Sequence, residues 1–147
     1  MIISIGSDHA GRLLKNAIIN YLTSNGHIVY DCGTYTDQSV DYPDYCVKVC
    51  QKVISGEANM GILVCYTGIG MSMAANKFKG IRAALVSLPE DAVLTREHNN
   101  ANVLCLSGKN TSELVGKEIV EKFINTSFLG GRHERRVNKI GCIENEQ

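Results

Sequence analysis

The run Gly61-Ile62-Leu63-Val64-Cys65 is close to apolar throughout and does not alternate. Tyr66-Thr67-Gly68-Ile69-Gly70 follows at once, then a helix-compatible stretch from Met71 to Lys77. A strand with one wet face alternates apolar and polar side chains, whereas a strand that does not is buried on both faces. The same character marks Ile2-Ile3 and Ala83-Ala84-Leu85-Val86. Strands of this kind need helices above and below them, and that requirement points to a parallel sheet built from strand–helix–strand units.

The rest of the chain fits this pattern. Strands are expected at Ile2–Gly6, His27–Cys32, Gly61–Cys65, Ile81–Ser87 and Asn102–Ser107. Helices are expected at Arg12–Ser24, Tyr45–Ser55 (with Asp41-Tyr42-Pro43 before it as a turn or helix start), Met71–Lys77, Pro89–His98 and Thr111–Asn125, the last as the longest. Gly26, Gly33 and Gly56 act as stops, and Pro89 sits in a first helical turn. The expected fold class is α/β, with a five-stranded parallel sheet carrying helices on both faces. One domain should span residues 1–147, with the tail 130–147 released at Gly130-Gly131 to pack on a partner subunit.

Composition limits the function classes. The 147 residues are 44% hydrophobic and 20% charged, with a formal net charge of zero. A core is therefore expected, and neither a nucleic-acid nor an anionic-membrane partner is. No apolar run is long enough to span a bilayer, and Met1–Gly6 lacks the basic start of a signal peptide. The six cysteines form no CxxC pair, so a reducing cytoplasm is the expected setting. Cys46 and Cys50 are spaced i, i+4 without metal-ligand partners and read as core.

Residues capable of chemistry follow the strands: Asp8-His9 after the first, Cys65 and Thr67-Gly68-Ile69-Gly70 after the third, and Gly108-Lys109 after the fifth. His98-Asn99 ends the helix after the fourth. The sheet should bring these together on one edge, an acid, two imidazoles, a thiol and a lysine around a loop whose N–H groups suit an anion. Singly, each has a plainer reading: a cap, a small buried hydrophobe, a turn, a charge at a helix end. The loop lacks the Gly-Lys-Ser/Thr ending of a P-loop and the third glycine of a dinucleotide fingerprint. Arg132 and Arg136, four apart, would share a helix face, and paired guanidinium groups suit a phosphate.

In this order the motifs resemble the ribose-5-phosphate isomerase B family, which also includes the galactose-6-phosphate isomerase subunits. The resemblance runs end to end, through Gly6-Ser7-Asp8-His9-Ala10-Gly11, Asp41-Tyr42-Pro43, Cys65 to Gly70, Ala74-Ala75-Asn76-Lys77, Gly80-Ile81-Arg82-Ala83, Arg96-Glu97-His98-Asn99 and Gly130-Gly131-Arg132-His133 with Arg136. It implies a three-layer Rossmann-like fold, a homodimer or dimer-built tetramer with active sites shared between subunits, and no metal or organic cofactor. It implies aldose–ketose interconversion of a sugar phosphate through a cis-enediolate. Cys65 would be the base and the N–H groups from Tyr66 through Gly68 and Ile69 to Gly70 the oxyanion hole, with Thr67 orienting the substrate. His98, with Asp8, would open the sugar ring. His9, Arg132 and Arg136 would hold the phosphate, and Asn99 a hydroxyl.

Two positions depart from the family pattern. Tyr66 stands where the family has glycine, and its ring must point either outward or into the cleft. Lys109 stands where the family has a phosphate-binding arginine, keeping the charge but not the fork. Ribose 5-phosphate is the substrate the resemblance implies. Galactose or allose 6-phosphate and a tetrose phosphate stay open as alternatives, as does a non-catalytic sugar-phosphate sensor. A flavodoxin-like cofactor binder is disfavoured by the lack of tryptophan or of an aromatic pair flanking the loop.

Overall fold

The computed structural model describes residues 1–146. Strands and helices alternate: β1 (Ile2–Ser7), α1 (Arg12–Ser24), β2 (Ile28–Asp31), α2 (Tyr42–Ile54), β3 (Met60–Cys65), α3 (Ile69–Ala75), β4 (Ala83–Leu85), α4 (Pro89–Asn99), β5 (Val103–Ser107) and α5 (Glu113–Asn125), followed by α6 (Arg132–Asn145). The strands form one parallel sheet in the order β2-β1-β3-β5-β4. This is the expected α/β, Rossmann-like arrangement.

Strand order decides which face each helix covers. A parallel crossover is right-handed, so steps in opposite directions across the sheet put their helices on opposite faces. The steps β1 to β2 and β4 to β5 run one way, and α1 and α4 lie on one face with α5. Leu14, Ile18, Leu22, Ala92, Ile119 and Phe123 are buried there against Ile3, Ile5, Ile62 and Leu104. The steps β2 to β3 and β3 to β4 run the other way. Their helices α2 and α3 bury Cys46, Val49, Cys50, Met71 and Ala75 against Leu63, Cys65 and Cys105 on the opposite face. Cys46 and Cys50 are thus core residues, their sulfurs 3.8 Å apart. No cluster of three or more His, Cys, Asp or Glu suited to a metal occurs among the described residues.

Several boundaries differ from the sequence expectation. β4 is three residues long, not seven, because it is an edge strand and pairs with β5 over Ala83–Leu85. Of the two readings of Asp41-Tyr42-Pro43, the helix start holds: α2 begins at Tyr42, with Pro43 in its first turn, where proline's missing N–H costs nothing. α6, with 14 residues, is longer than the 13-residue α5. It also docks on its own chain: Gly80 donates its N–H to Glu144, and Lys79 bonds Asn145. Lys15 is fully buried and reaches Asp31 at 2.7 Å, the pairing a buried ammonium needs.

Candidate active site

The chain crosses from one side of the sheet to the other between β1 and β3, and their C-terminal ends form the crevice where ligands bind in such sheets. Ser7 is in register with Val64, so Asp8 emerges beside Cys65, and the Asp8 N–H donates to the Val64 carbonyl at 3.2 Å. Asp8 is 6% exposed, and its carboxylate accepts the Gly11 N–H at 3.0 Å. A Cβ on Gly11 would lie 2.4 Å from the Val64 carbonyl oxygen, so a glycine is needed for α1 to start this close to β3.

Cys65 ends β3 and is 4% exposed. Its sulfur accepts the Gly68 N–H at 3.2 Å, a contact by which the loop that follows β3 folds back onto the cysteine. Gly68 can make it because its φ is +78°, a left-handed turn unfavourable for other residues. The carbonyls of Cys65 and Tyr66 are tied to the loop after β5. The first accepts from the Gly108 N–H at 2.8 Å; the second accepts from the Lys109 N–H at 3.0 Å and from Ser107 Oγ at 2.8 Å. In a trans peptide the next N–H points opposite the carbonyl, so the Tyr66 and Thr67 N–H groups face away from that loop. Thr67 Oγ1 accepts the Ile69 N–H at 3.3 Å, capping the start of α3. Behind Cys65, burial holds the Cys105 thiol well above its ordinary range, so Cys65 has no thiolate neighbour there.

Tyr66 points outward. It is 54% exposed, and the Lys109 ammonium stands 5.2 Å from its ring centre. It keeps a negative φ, since Asn100 is the positive-φ residue outside glycine among the described residues, so the loop tolerates a side chain here. The two residues that depart from the family pattern thus touch each other. His9 Nδ1 accepts the Val40 N–H at 3.2 Å; the neutral ring therefore carries its proton on Nε2 and can donate from that edge. Tyr42, which the sequence offers only as part of Asp41-Tyr42-Pro43, lies at the loop. Its ring occupies the space a Cβ on Gly70 would need, the hydroxyl 2.9 Å from that point, and so forms one wall of the loop.

The expectation of one shared edge fails for His98 and Asn99. α4 begins at the Cys65 edge but runs 11 residues, about 16 Å, back along the sheet. Three residues beyond its end, the Asn102 carbonyl accepts the Gly61 N–H at the start of β3. Cys65 lies at the other end of that strand, about 13 Å away at strand rise. The strand before α4 ends at the Cys65 edge, but the far end of the helix carries these residues. Asp8, His9, Cys65, Thr67, Gly68, Ile69, Gly70, Tyr66 and Lys109 are brought together; His98, Asn99, Arg132 and Arg136 form a second group at the opposite edge.

That second group is rigidly founded. Arg96 donates to the Thr126 carbonyl, to Asn100 Oδ1 and to the Ala101 carbonyl, and Arg82 donates to the Asn100 carbonyl. Burial first, and then the Arg82 charge, pulls the Arg96 guanidinium below its ordinary value. The sequence offered Arg82 and Arg96 only as motif members. His133 stacks on His98, with ring centres 4.3 Å apart and planes within 9°. Arg132 and Arg136, exposed on α6, flank this stack.

Residues 3–140 match the sequence pattern of the Ribose/Galactose Isomerase family. The chain belongs to that family and is an isomerase of its kind. Ribose-5-phosphate isomerase B of Escherichia coli is 43% identical over 142 residues, which are 97% of this chain and 95% of that one. A ribose 5-phosphate isomerase crystal structure from Thermotoga maritima superposes with a TM-score of 0.94 at 53% identity, covering 95% of this chain and 97% of the other. Ribose-5-phosphate isomerase B from Mycoplasma genitalium, solved with bound ribulose-5-phosphate, gives a TM-score of 0.95 at 43% identity over 99% of this chain and 97% of that one.

Proposed function

We propose that the protein interconverts ribose 5-phosphate and ribulose 5-phosphate through a cis-enediolate, with Cys65 as the base. The observation that carries this reading is the hydrogen bond from the Gly68 N–H to Cys65 Sγ at 3.2 Å, beside the buried Asp8 carboxylate. The thiolate removes the proton from C2 of the aldose and returns it to C1 while the hydroxyl proton of O2 passes to O1, and the reverse reaction exchanges the two carbons. Negative charge develops on the substrate oxygen as the proton leaves, and the outward N–H groups of Tyr66 and Thr67 are preset to receive it. A positioned base of this kind contributes on the order of a hundred- to ten-thousandfold in rate.

The active unit in this reading is a homodimer with two shared sites. His98 and Asn99 are too far from Cys65 to serve it within one chain, so they complete the site of a second copy. There His98 opens the sugar ring, Asn99 holds a hydroxyl, and Arg132 and Arg136 bind the phosphate with His9. Exposed Ile69, Met73, Leu85 and Leu88 around the cysteine loop support this, because they leave apolar surface for the second copy to cover. The six free cysteines fit a reducing, cytoplasmic setting. No helix among the described residues is long and apolar enough to cross a membrane.

A coupled assay over four-, five- and six-carbon aldose phosphates tests the assignment. Turnover greatest on ribose 5-phosphate, and lost in a folded Cys65→Ala variant, is the expected result. Full turnover in that variant removes Cys65 as the base. A different preferred chain length reassigns the substrate.

A further inference from the structure

We propose that His133 is a positioning residue for the isomerase reaction, holding the His98 imidazole in one plane by stacking on its face. This inference rests on the role given above to His98. A ring centre 4.3 Å away, in a plane within 9°, blocks rotation of the His98 ring about its own axis in that direction. His98 is half-buried, with one ring face covered.

The chain builds His133 into place. It is 8% exposed although it sits in the first turn of a helix whose neighbouring side chains are exposed. The Leu129 N–H donates to the Glu97 carbonyl at 3.1 Å, fastening the approach to α6 onto α4 one residue before His98. Gly130 and Gly131 then turn with φ of +68° and +59°, and the His133 N–H closes back on the Gly130 carbonyl at 3.1 Å. Two consecutive residues with positive φ are a conformation that side chains other than glycine resist. The same turn delivers Arg132 and Arg136 beside His98.

The charges around the stack separate the two rings. From α6, Arg132 and Arg136 face His133; from α4, His98 and Glu97 do. Burial first, and then His98 and the two arginines, pushes His133 below its ordinary value, with Glu97 acting the other way. The shift disfavours a charge on His133, the ring that lies against His98. A neutral ring can stack on His98 in either of its charge states without like-charge repulsion.

The test compares His133→Ala, which removes the stack, with His133→Phe, which keeps a flat ring but no nitrogen, and with His98→Asn. Each is assayed on ribose 5-phosphate for kcat and KM across pH, after thermal melting shows that it is folded. His133→Ala should lower kcat about tenfold or more with KM within about threefold, and shift the pH profile. His133→Phe should restore most of kcat. Unchanged kcat and pH profile in His133→Ala would overturn the proposal, and so would a raised KM at unchanged kcat, which would tie His133 to the arginines instead. If the alanine variant does not fold, the proton NMR titration of His98 in His133→Phe decides: an unchanged curve and unchanged ring contacts to α6 support positioning by the flat face, and a mobile ring refutes it. Full activity in His98→Asn would sink the reading of His98 itself, a result distinguishable from the others.

Discussion

Gly68 shows how much one residue can hold. Its backbone turns left-handed, its N–H reaches Cys65, and a Cβ there would come within 2.9 Å of the Leu106 carbonyl. Gly68→Ala should therefore destabilise the protein by about 2 kcal/mol, combining left-handed strain with a backbone clash. It should also impair turnover more than stability, since the N–H moves off the sulfur. Urea unfolding beside the isomerase assay checks both, and an alanine variant as stable as the wild type would contradict the left-handed loop. Tyr66 and Lys109 are the other informative residues at this scale. With the ring outward beneath the ammonium, Tyr66→Gly frees Lys109 and should raise KM for the sugar phosphate by roughly two- to fivefold, the scale of an exposed cation–π contact. The KM of Tyr66→Leu should rise equally, since the contact needs the ring; an unchanged KM in both would leave the pair without a binding role.

Among elements, α6 should be the one whose attachment depends on pH. Its contact with α4 includes the stack of His133 on His98, and burial and neighbouring charges hold His133 below the ordinary histidine value. An unfolded or undocked ring titrates near ~6.5 and so binds more protons than the docked ring just below that pH. More protons bound in the open state means that stability rises with pH. The docking contribution is thus fully present above ~6.5 and fades as pH falls through that value toward the lower one of the docked ring. Amide protection factors along Arg132–Asn145, measured on either side of that pH and corrected for intrinsic exchange, should fall on the acid side while those of β3 and β5 hold. Uniform protection across the chain would show that α6 does not open separately.

For the whole molecule, the separation of Cys65 from His98 makes a direct prediction about assembly. Cys65→Ala and His98→Asn chains should each be nearly inactive alone. Unfolded together and refolded as a one-to-one mixture, they should recover about a quarter of wild-type activity, because half the dimers are mixed and each mixed dimer holds one intact site. No recovery, with dimers present by sedimentation, would mean that each chain builds its site alone.

The sequence by itself determined a good deal. Unalternating apolar runs such as Gly61–Cys65 dictate strands buried on both faces, and glycine and proline punctuation places the helices between them, because both effects act over a few residues. The cysteine with its loop was legible for the same reason: Cys65 through Gly70 are contiguous, and a strand end followed by glycines makes the turn locally. Only the tertiary structure decided the order β2-β1-β3-β5-β4, which edge carries His98, the outward turn of Tyr66 under Lys109, and the stack of His133 on His98. Each of these depends on how far a helix carries the chain before it turns, or on which distant segment packs beside it. Packing between segments tens of residues apart sets those outcomes, and no local spacing in one chain encodes them.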